Sequence, residues 1–388
     1  MDFLDNNNED REYRDARRER LERMKLEKQR QAAQRAMIKK MIPFVVIGIV
    51  AVALIVTAIV WGTRNLFNKP HKDLVEIDAT QVPAQSEPEE VEEEIVEEEH
   101  KNVDIQGMPE MTVALPNMIN DNKLDDSQAT DAISEEDVQS QFAVLCDVTN
   151  GKTLVSKNGR DRMNPASMTK VMTVLVACEH IENLDDIFEI TLEDTDFAYI
   201  NDLSCAGFEA GEKVPIKDVL YGAIMPSGGE CCHALERYVA GDEDAFIAMM
   251  NDKAKELGLT GTHYTNSAGL YNENHYTTPI DMTIVMKAAI ENDLCREILH
   301  SHIYTTASTT EHPEGLELSN WFLRRIEDKY SKTEVLGAKT GYVLQSGNCA
   351  VSYTIGTDGT VYICTTGNAH SAWRAIYDHV SLYNMYVK

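Results

Sequence analysis

The chain has 388 residues, enough for one large domain or two ordinary ones with extensions. Its formal charge of −28 excludes nucleic acid as a natural partner, because a phosphate backbone repels such a surface. That charge is uneven: residues 1–40 hold 12 Lys/Arg against 9 Asp/Glu, whereas residues 73–141 hold 21 Asp/Glu against 2 Lys.

Residues 1–40 read as a charged cytoplasmic segment, helical in composition from residue 9 but without a sustained heptad. Residues 41–61, MIPFVVIGIVAVALIVTAIVW, carry no charge. At about 1.5 Å per residue they span a hydrocarbon core of roughly 30 Å. The run is longer than a signal-peptide core and follows a long charged segment, which predicts an uncleaved single-pass transmembrane helix. Lys39 and Lys40 place the N-terminus in the cytoplasm and everything after Trp61 outside the cell membrane. Residues 62–138 read as an acidic, disordered linker. Its Glu92–Glu94 and Glu97–Glu99 runs repel one another, and it offers few large apolar residues to offset ordering. Such a tether reaches roughly 45 Å as a flexible chain.

The folded domain is expected over 139–388. FAVLCDVT, Asn150-Gly151 and KTLVSK predict a β-hairpin with a type I′ turn. A second hairpin is predicted from GNCAVSYTIGT, Asp358-Gly359 and TVYICTTG. With a two-residue loop there, Thr357 pairs with Thr360 and Cys364 faces Tyr353, which disfavours a Cys349–Cys364 disulfide. Between the hairpins, DAFIAMMNDKAKELGL puts Phe246, Met249, Met250 and Leu257 on one helical face, with Gly258 as its stop. A closing helix over 371–386 carries Trp373, Ile376, Tyr377, Val380 and Tyr383 at helical spacing. Strands at both ends with helices between them predict an α+β fold: an antiparallel sheet joining the ends, covered by helices and extended by a mainly helical region. The eight cysteines form no CxxC pair, which argues against a zinc or thioredoxin-like site. Most lie in apolar runs and read as small buried hydrophobes. No metal-ligand spacing and no cofactor motif appears.

Three short motifs carry chemistry. In Ser167-Met168-Thr169-Lys170, Pro165 sits where a helix begins, so Ser167 and Lys170 fall at i and i+3 on one face. A serine hydroxyl needs an adjacent base to become a nucleophile, and a neutral lysine amine serves. Its ordinary pKa of about 10.4 must be lowered by burial or a second cation. The helix N-terminus offers N–H groups to a developing oxyanion. The second motif is Pro226-Ser227-Gly228-Gly229. The third, Lys339-Thr340-Gly341, lies in the strand-like VLGAKTGYV: Lys339 supplies a second cation, Thr340 a hydroxyl for a carboxylate, and Gly341 room for close approach. Order and context together match the triple of serine β-lactamases and penicillin-binding proteins.

Residues 142–388 resemble the serine-type D-alanyl-D-alanine carboxypeptidases, the low-molecular-mass penicillin-binding proteins. The stretches NPASMTKVMTVLVACE, AGFEAGEKVPIKDVLYGAIMPSGG, AFIAMMNDKAKELGLTGTHYTNSAGL and LGAKTGYVLQSGNCAV carry the resemblance. It implies a β-lactamase/transpeptidase-like fold with a five-stranded antiparallel sheet. It also implies removal of terminal D-alanine from peptidoglycan stem peptides through an acyl-enzyme on Ser167, with β-lactams as covalent inhibitors. Lys170 is then the base and Ser227 relays a proton to the leaving amine. Lys339, Thr340 and Gly341 bind the substrate carboxylate end, and the backbone N–H groups of Ser167 and Tyr342 form the oxyanion hole. The middle motif departs from the family's Ser-x-Asn, since Gly229 stands in the Asn place. A lost neutral hydrogen bond costs about 0.5–1.5 kcal/mol, roughly tenfold, so the expectation is a retuned enzyme in which Gly229→Asn leaves activity unchanged or raises it. Glu230 is a partial substitute on this reading. Asp281 reads as a helix cap, His275 as structural, His233 as lying on a helix flank, and Cys231 and Cys232 as packing. Two rival readings stand beside the carboxypeptidase: a β-lactamase, for which no second deacylating carboxylate motif is evident, and a non-catalytic wall-binding scaffold.

Overall fold

Strands from the two ends of the folded unit build one antiparallel sheet, and the residue alternation along them shows why. In β1 (Phe142–Asp147), Ala143 and Leu145 enter one apolar cluster while Val144 and Cys146 enter another. The computed structural model describes residues 114–388 apart from Tyr330, together with Leu26. The chain divides after residue 102, and the sheet and its helices belong to the second unit. The expected cytoplasmic segment, the 41–61 span and the first part of the linker lie outside the described residues. No helix among the described residues is long and apolar enough to cross a membrane.

β1 is followed by β2 (Lys152–Lys157), the central helix α1 (Thr169–His180), α2 (Leu192–Ile200), α3 (Ile216–Ile224), α4 (Gly229–Val239), α5 (Glu243–Glu256), α6 (Pro279–Glu291) and α7 (Asp293–His300). The chain then returns through β3 (Val335–Val343), β4 (Gly347–Ile355), β5 (Val361–Ala369) and α8 (Ala372–Tyr386). The sheet order is β2-β1-β5-β4-β3, so β3 is an edge strand. Two short strand pairs, Ile187–Glu189 with Lys213–Pro215 and Ile303–Thr305 with Glu317–Ser319, lie outside this sheet.

Both sheet faces are covered, so the strands are buried almost continuously. α8 covers one face through Ala375, Ile376, Leu382 and Tyr383. The helical region covers the other, and α1, apolar nearly all round, is buried from Thr169 to Cys178. The pleat decides where the KTG lysine points. Ala338 belongs to the α8 side, so Lys339, paired opposite Val351, faces the helical region and α1.

Several local expectations change. Residues 148–151 form the first hairpin loop, with Asp147 opposite Lys152; only Gly151 takes positive φ, so Asn150-Gly151 is not a type I′ pair. In the second hairpin Ile355 pairs with Val361, closing a five-residue loop that sets Cys364 opposite Ser352 rather than Tyr353. All eight cysteines are free; seven are buried and Cys205 is exposed. On α8 the sheet-facing set includes Ile376 and Tyr383 but turns Trp373 and Tyr377 outward. Thr278 caps α6, accepting from Asp281 N–H at 3.1 Å, while the Asp281 carboxylate holds Gly261 N–H and the Thr262 hydroxyl, each at 2.8 Å. Asp281 is therefore a loop anchor and not the cap.

The linker boundary also moves. Residues 125 and 130 run parallel to β2: Asp125 N–H reaches Gly151 O at 2.8 Å, Thr153 N–H reaches Asp125 O at 2.8 Å, and Thr130 exchanges bonds of 3.0 and 2.9 Å with Leu154 and Ser156. This strap covers the open edge of β2. Leu115, Met118, Leu124 and Ile133 pack beside it and Val138 is fully buried. The Glu runs behind the linker expectation end at Glu99, and the stretch after residue 114 has enough apolar side chains to order.

Candidate active site

Ser167 sits in a single 3₁₀ turn, Ala166–Met168, that leads into α1. Ala166 adopts φ +46°, a left-handed conformation disfavoured for a residue with a Cβ. Two glycines clasp the turn. A Cβ on Gly341 of β3 would lie 2.9 Å from both Pro165 O and Ser167 N. A Cβ on Gly269 would collide with the Ala166 carbonyl and lie 2.8 Å from Ser167 N. Only glycine permits either approach. The sequence pointed to Gly341 for substrate access; its structural role is to let β3 lie against the nucleophile's turn. Gly269, with φ +84°, was missed.

Lys170 Nζ donates to Ser167 Oγ at 3.0 Å and to Ala268 O at 2.7 Å. Its side chain is fully buried. Burial pulls the amine below its ordinary value, partly opposed by the neighbouring Glu230 carboxylate. Lys339 Nζ donates to Ser227 Oγ at 3.0 Å and to Thr340 O at 2.7 Å. Burial, and after it the charge of Lys170, hold Lys339 well below the lysine range. Ser227 takes φ +68°, a strained value that aims its hydroxyl at Lys339. Thr340 is half-buried and Tyr342, next to Gly341, is exposed.

The loop 266–269 is the part that sequence reasoning overlooked. Asn266 Oδ1 accepts from Gly269 N–H at 2.7 Å and Leu270 N–H at 2.9 Å, closing the loop. Thr173 of α1 donates to Ser267 O at 2.7 Å. Ala268 presents the carbonyl that receives Lys170, and Gly269 clasps Ser167. TNSAGL stood among the family-like stretches, but nothing local in it shows contact with residues about a hundred positions earlier.

Gly229 opens α4, and its N–H donates to Ser204 O at 2.7 Å. The space for a side chain is occupied: an added Cβ would lie 2.6 Å from Leu203 Cδ1 and 2.7 Å from Leu203 Cβ. This packing argues against the expected tolerance of Gly229→Asn. Glu230 holds the loop before it, accepting from Ala206 N–H at 2.5 Å and Gly207 N–H at 3.1 Å, and burial raises its pKa. Cys231 and Cys232 are buried thiols, Cys231 pushed well above the ordinary thiol value and Cys232 up to about 12 by burial, which leaves no thiolate.

His275 is buried and neutral, its pKa pulled down to about 3 by desolvation. It accepts from Thr265 N–H at Nδ1 (3.1 Å), so Nε2 carries the proton and donates to Thr169 Oγ1 at 2.8 Å. That bond steadies the first turn of α1. His233 pairs with Asp194 at 2.6 Å, and Arg237 joins the same carboxylate at 2.8 Å, tying α2 to α4.

A five-stranded antiparallel sheet with helices on both faces, the serine turn at its β3 edge, is the architecture of the β-lactamase-like transpeptidases and carboxypeptidases. The crystal structure of the Streptomyces K15 DD-transpeptidase matches with a TM-score of 0.59 and 27% identity, over 65% of this chain and 98% of that one. A model of the D-alanyl-D-alanine carboxypeptidase family matches residues 128–369, and the chain belongs to that family. D-alanyl-D-alanine carboxypeptidase DacF of Bacillus subtilis is 30% identical over 224 residues, 58% of this chain and 55% of that protein. The D-alanyl-D-alanine carboxypeptidase of Streptomyces sp. strain K15 is 31% identical over 209 residues, 52% of this chain and 71% of that one. The match thus spans about half the length of the Bacillus relative.

Proposed function

We propose that the chain is an extracytoplasmic serine D-Ala-D-Ala carboxypeptidase that removes terminal D-alanine from peptidoglycan stem peptides. The observation that carries this is the contact of the buried Lys170 Nζ with Ser167 Oγ at 3.0 Å, with Lys339 and Ser227 paired beside it. In the reaction, the neutral Lys170 amine takes the Ser167 proton as Oγ attacks the penultimate D-alanine carbonyl. The N–H groups of Ser167 and Tyr342 receive the oxyanion. Ser227 passes a proton to the leaving D-alanine nitrogen as the C–N bond breaks, while Lys339 and Thr340 hold its carboxylate. Water then hydrolyses the Ser167 ester. An amine in place of that water gives transpeptidation, the reaction in the name of the Streptomyces K15 enzyme. β-Lactams enter the same acylation, but their leaving nitrogen stays tethered to the acyl group. Charge-free residues 41–61 support a membrane anchor with the N-terminus inside, and residues 62–113 a tether towards the wall.

Mass spectrometry of pentapeptide muropeptides after incubation should show loss of one D-alanine. Ser167→Ala should abolish both this and labelling by fluorescent penicillin. Persistent labelling of Ser167→Ala removes Ser167 as nucleophile. A wild-type chain that neither labels nor releases D-alanine leaves the scaffold reading standing, and rapid turnover of penicillin favours the β-lactamase.

A further inference from the structure

Glu236 lies two turns into α4, away from the three motifs, and only 1% of it is exposed. The Ser267 hydroxyl donates to its Oε1 in a short hydrogen bond. Its other oxygen, Oε2, is buried without a hydrogen-bond partner. A buried carboxylate oxygen left without a partner is costly, so its retention calls for an explanation. Ser267 begins the tripeptide whose next carbonyl, Ala268 O, receives Lys170 Nζ at 2.7 Å and whose glycine clasps the Ala166–Ser167 turn. Thr173 fixes the Ser267 carbonyl from α1, so Glu236 is the side-chain tie from α4.

We propose that Glu236 is a positioning residue: by holding Ser267 it fixes the loop that receives the Lys170 amine and clasps the nucleophile. This rests on the acyl-enzyme reading above. Burial raises the Glu236 carboxyl to about 7, so its charge changes in the neutral range. The charged groups around it are His233 and Arg237 on its own helix, Asp194 from α2 and Glu243 from α5. Lys170 of α1 lies beyond Ala268, and Asp218 of α3 is turned to Tyr304 and Ala307. An ionised Glu236 grips the Ser267 hydroxyl more strongly than a neutral one, because charge-assisted hydrogen bonds are about twice as strong. Acylation therefore gains a component that rises with pH through neutrality, separate from deprotonation of Lys170.

The test uses the full chain in detergent with two readouts. The first is the rate of Ser167 acylation by fluorescent penicillin from pH 5.5 to 9. The second is the Lys170 ¹³Cε resonance, assigned by its loss in Lys170→Met, followed over the same range. Ser267→Ala and Glu236→Ala should each slow acylation roughly tenfold at pH 7, with the double variant no slower than either, because they cut one link. Glu236→Gln should keep acylation within a few-fold of the acid-side wild-type rate. It should also lose the neutral inflection in both rate and resonance. Additive effects in the double variant, or an inflection that survives Glu236→Gln, overturn the inference. Should Glu236→Ala fail to fold, Glu236→Gln and Ser267→Ala still decide it. If the wild type is not acylated at all, the acyl-enzyme reading fails, and the resonance alone still tests the Glu236 link.

Discussion

Replacing Gly229 by Asn, the residue that the resemblance puts there, should damage this protein. α4 is helical from Gly229, so conformation does not require glycine. Space does. The new Cβ would meet Leu203 Cδ1 at 2.6 Å and Leu203 Cβ at 2.7 Å, whereas carbon atoms settle at about 3.5–4.0 Å. A rotamer change clears Cδ1 but not Cβ, so the backbone near residue 203 must retreat by about 1 Å to restore that separation. That backbone is held by Leu203 N–H to Ala198 O at 3.0 Å and by Gly229 N–H to Ser204 O at 2.7 Å. Overpacking of this kind costs about 1–3 kcal/mol. For a domain of this size each kcal/mol lowers Tm by about 2–4 °C, giving a fall of roughly 2–12 °C. The first turn of α4 follows Ser227, so acylation should drop roughly tenfold, the effect of disturbing one hydrogen bond of about 1.4 kcal/mol. Differential scanning fluorimetry and the rate of fluorescent-penicillin labelling measure both. Combining Gly229→Asn with Leu203→Gly removes the clash and should recover most of each loss. A Gly229→Asn protein with wild-type Tm and wild-type labelling refutes the reasoning.

Gly269→Ala should be more damaging than Gly341→Ala, because it adds a left-handed backbone penalty of about 1–2 kcal/mol to the collision with Ala166; labelling kinetics should rank the two. His275 and His379 are each pulled down to about 3 by burial, below the ordinary value of 6.5. The unfolded chain therefore takes up protons that the folded one refuses, so stability is complete above 6.5 and falls as pH drops towards 3. Glu236, raised to about 7, acts in the opposite sense, its neutral form favouring the fold as pH falls from 7 to 4.5. Urea midpoints should thus decline below pH 6.5, and His379→Asn should flatten the decline; a slope unchanged by that substitution counts against the assignment. A chain beginning at residue 139 loses the four strap hydrogen bonds along β2, worth roughly 2–6 kcal/mol at the usual 0.5–1.5 each, relative to one beginning at 114. Equal urea midpoints for the two show that the strap contributes nothing.

What the sequence revealed follows the range of the interactions. Ser167 and Lys170 were legible because one turn of helix joins them, and the hairpins because their strands are neighbours in sequence. Turn details slipped: hairpin loops four and five residues long replaced two-residue turns, since Asp147 opposite Lys152 and Ile355 opposite Val361 set the register. The linker was misjudged because composition was averaged over 62–138, hiding the apolar residues after 114.

The site itself divides in the same way. The motifs named the groups that touch substrate on the proposed mechanism, but not the groups that hold them. Gly269 and Glu236 act across tertiary contacts and leave no local pattern. Leu203 matters most here. Read alone, Gly229 is a motif residue lost. Read with Leu203 filling its side-chain space, it is one half of a packed pair whose other half lies in a loop 26 positions earlier. Restoring one member of such a pair does not restore a relative's site, because the volume has already been given to the other.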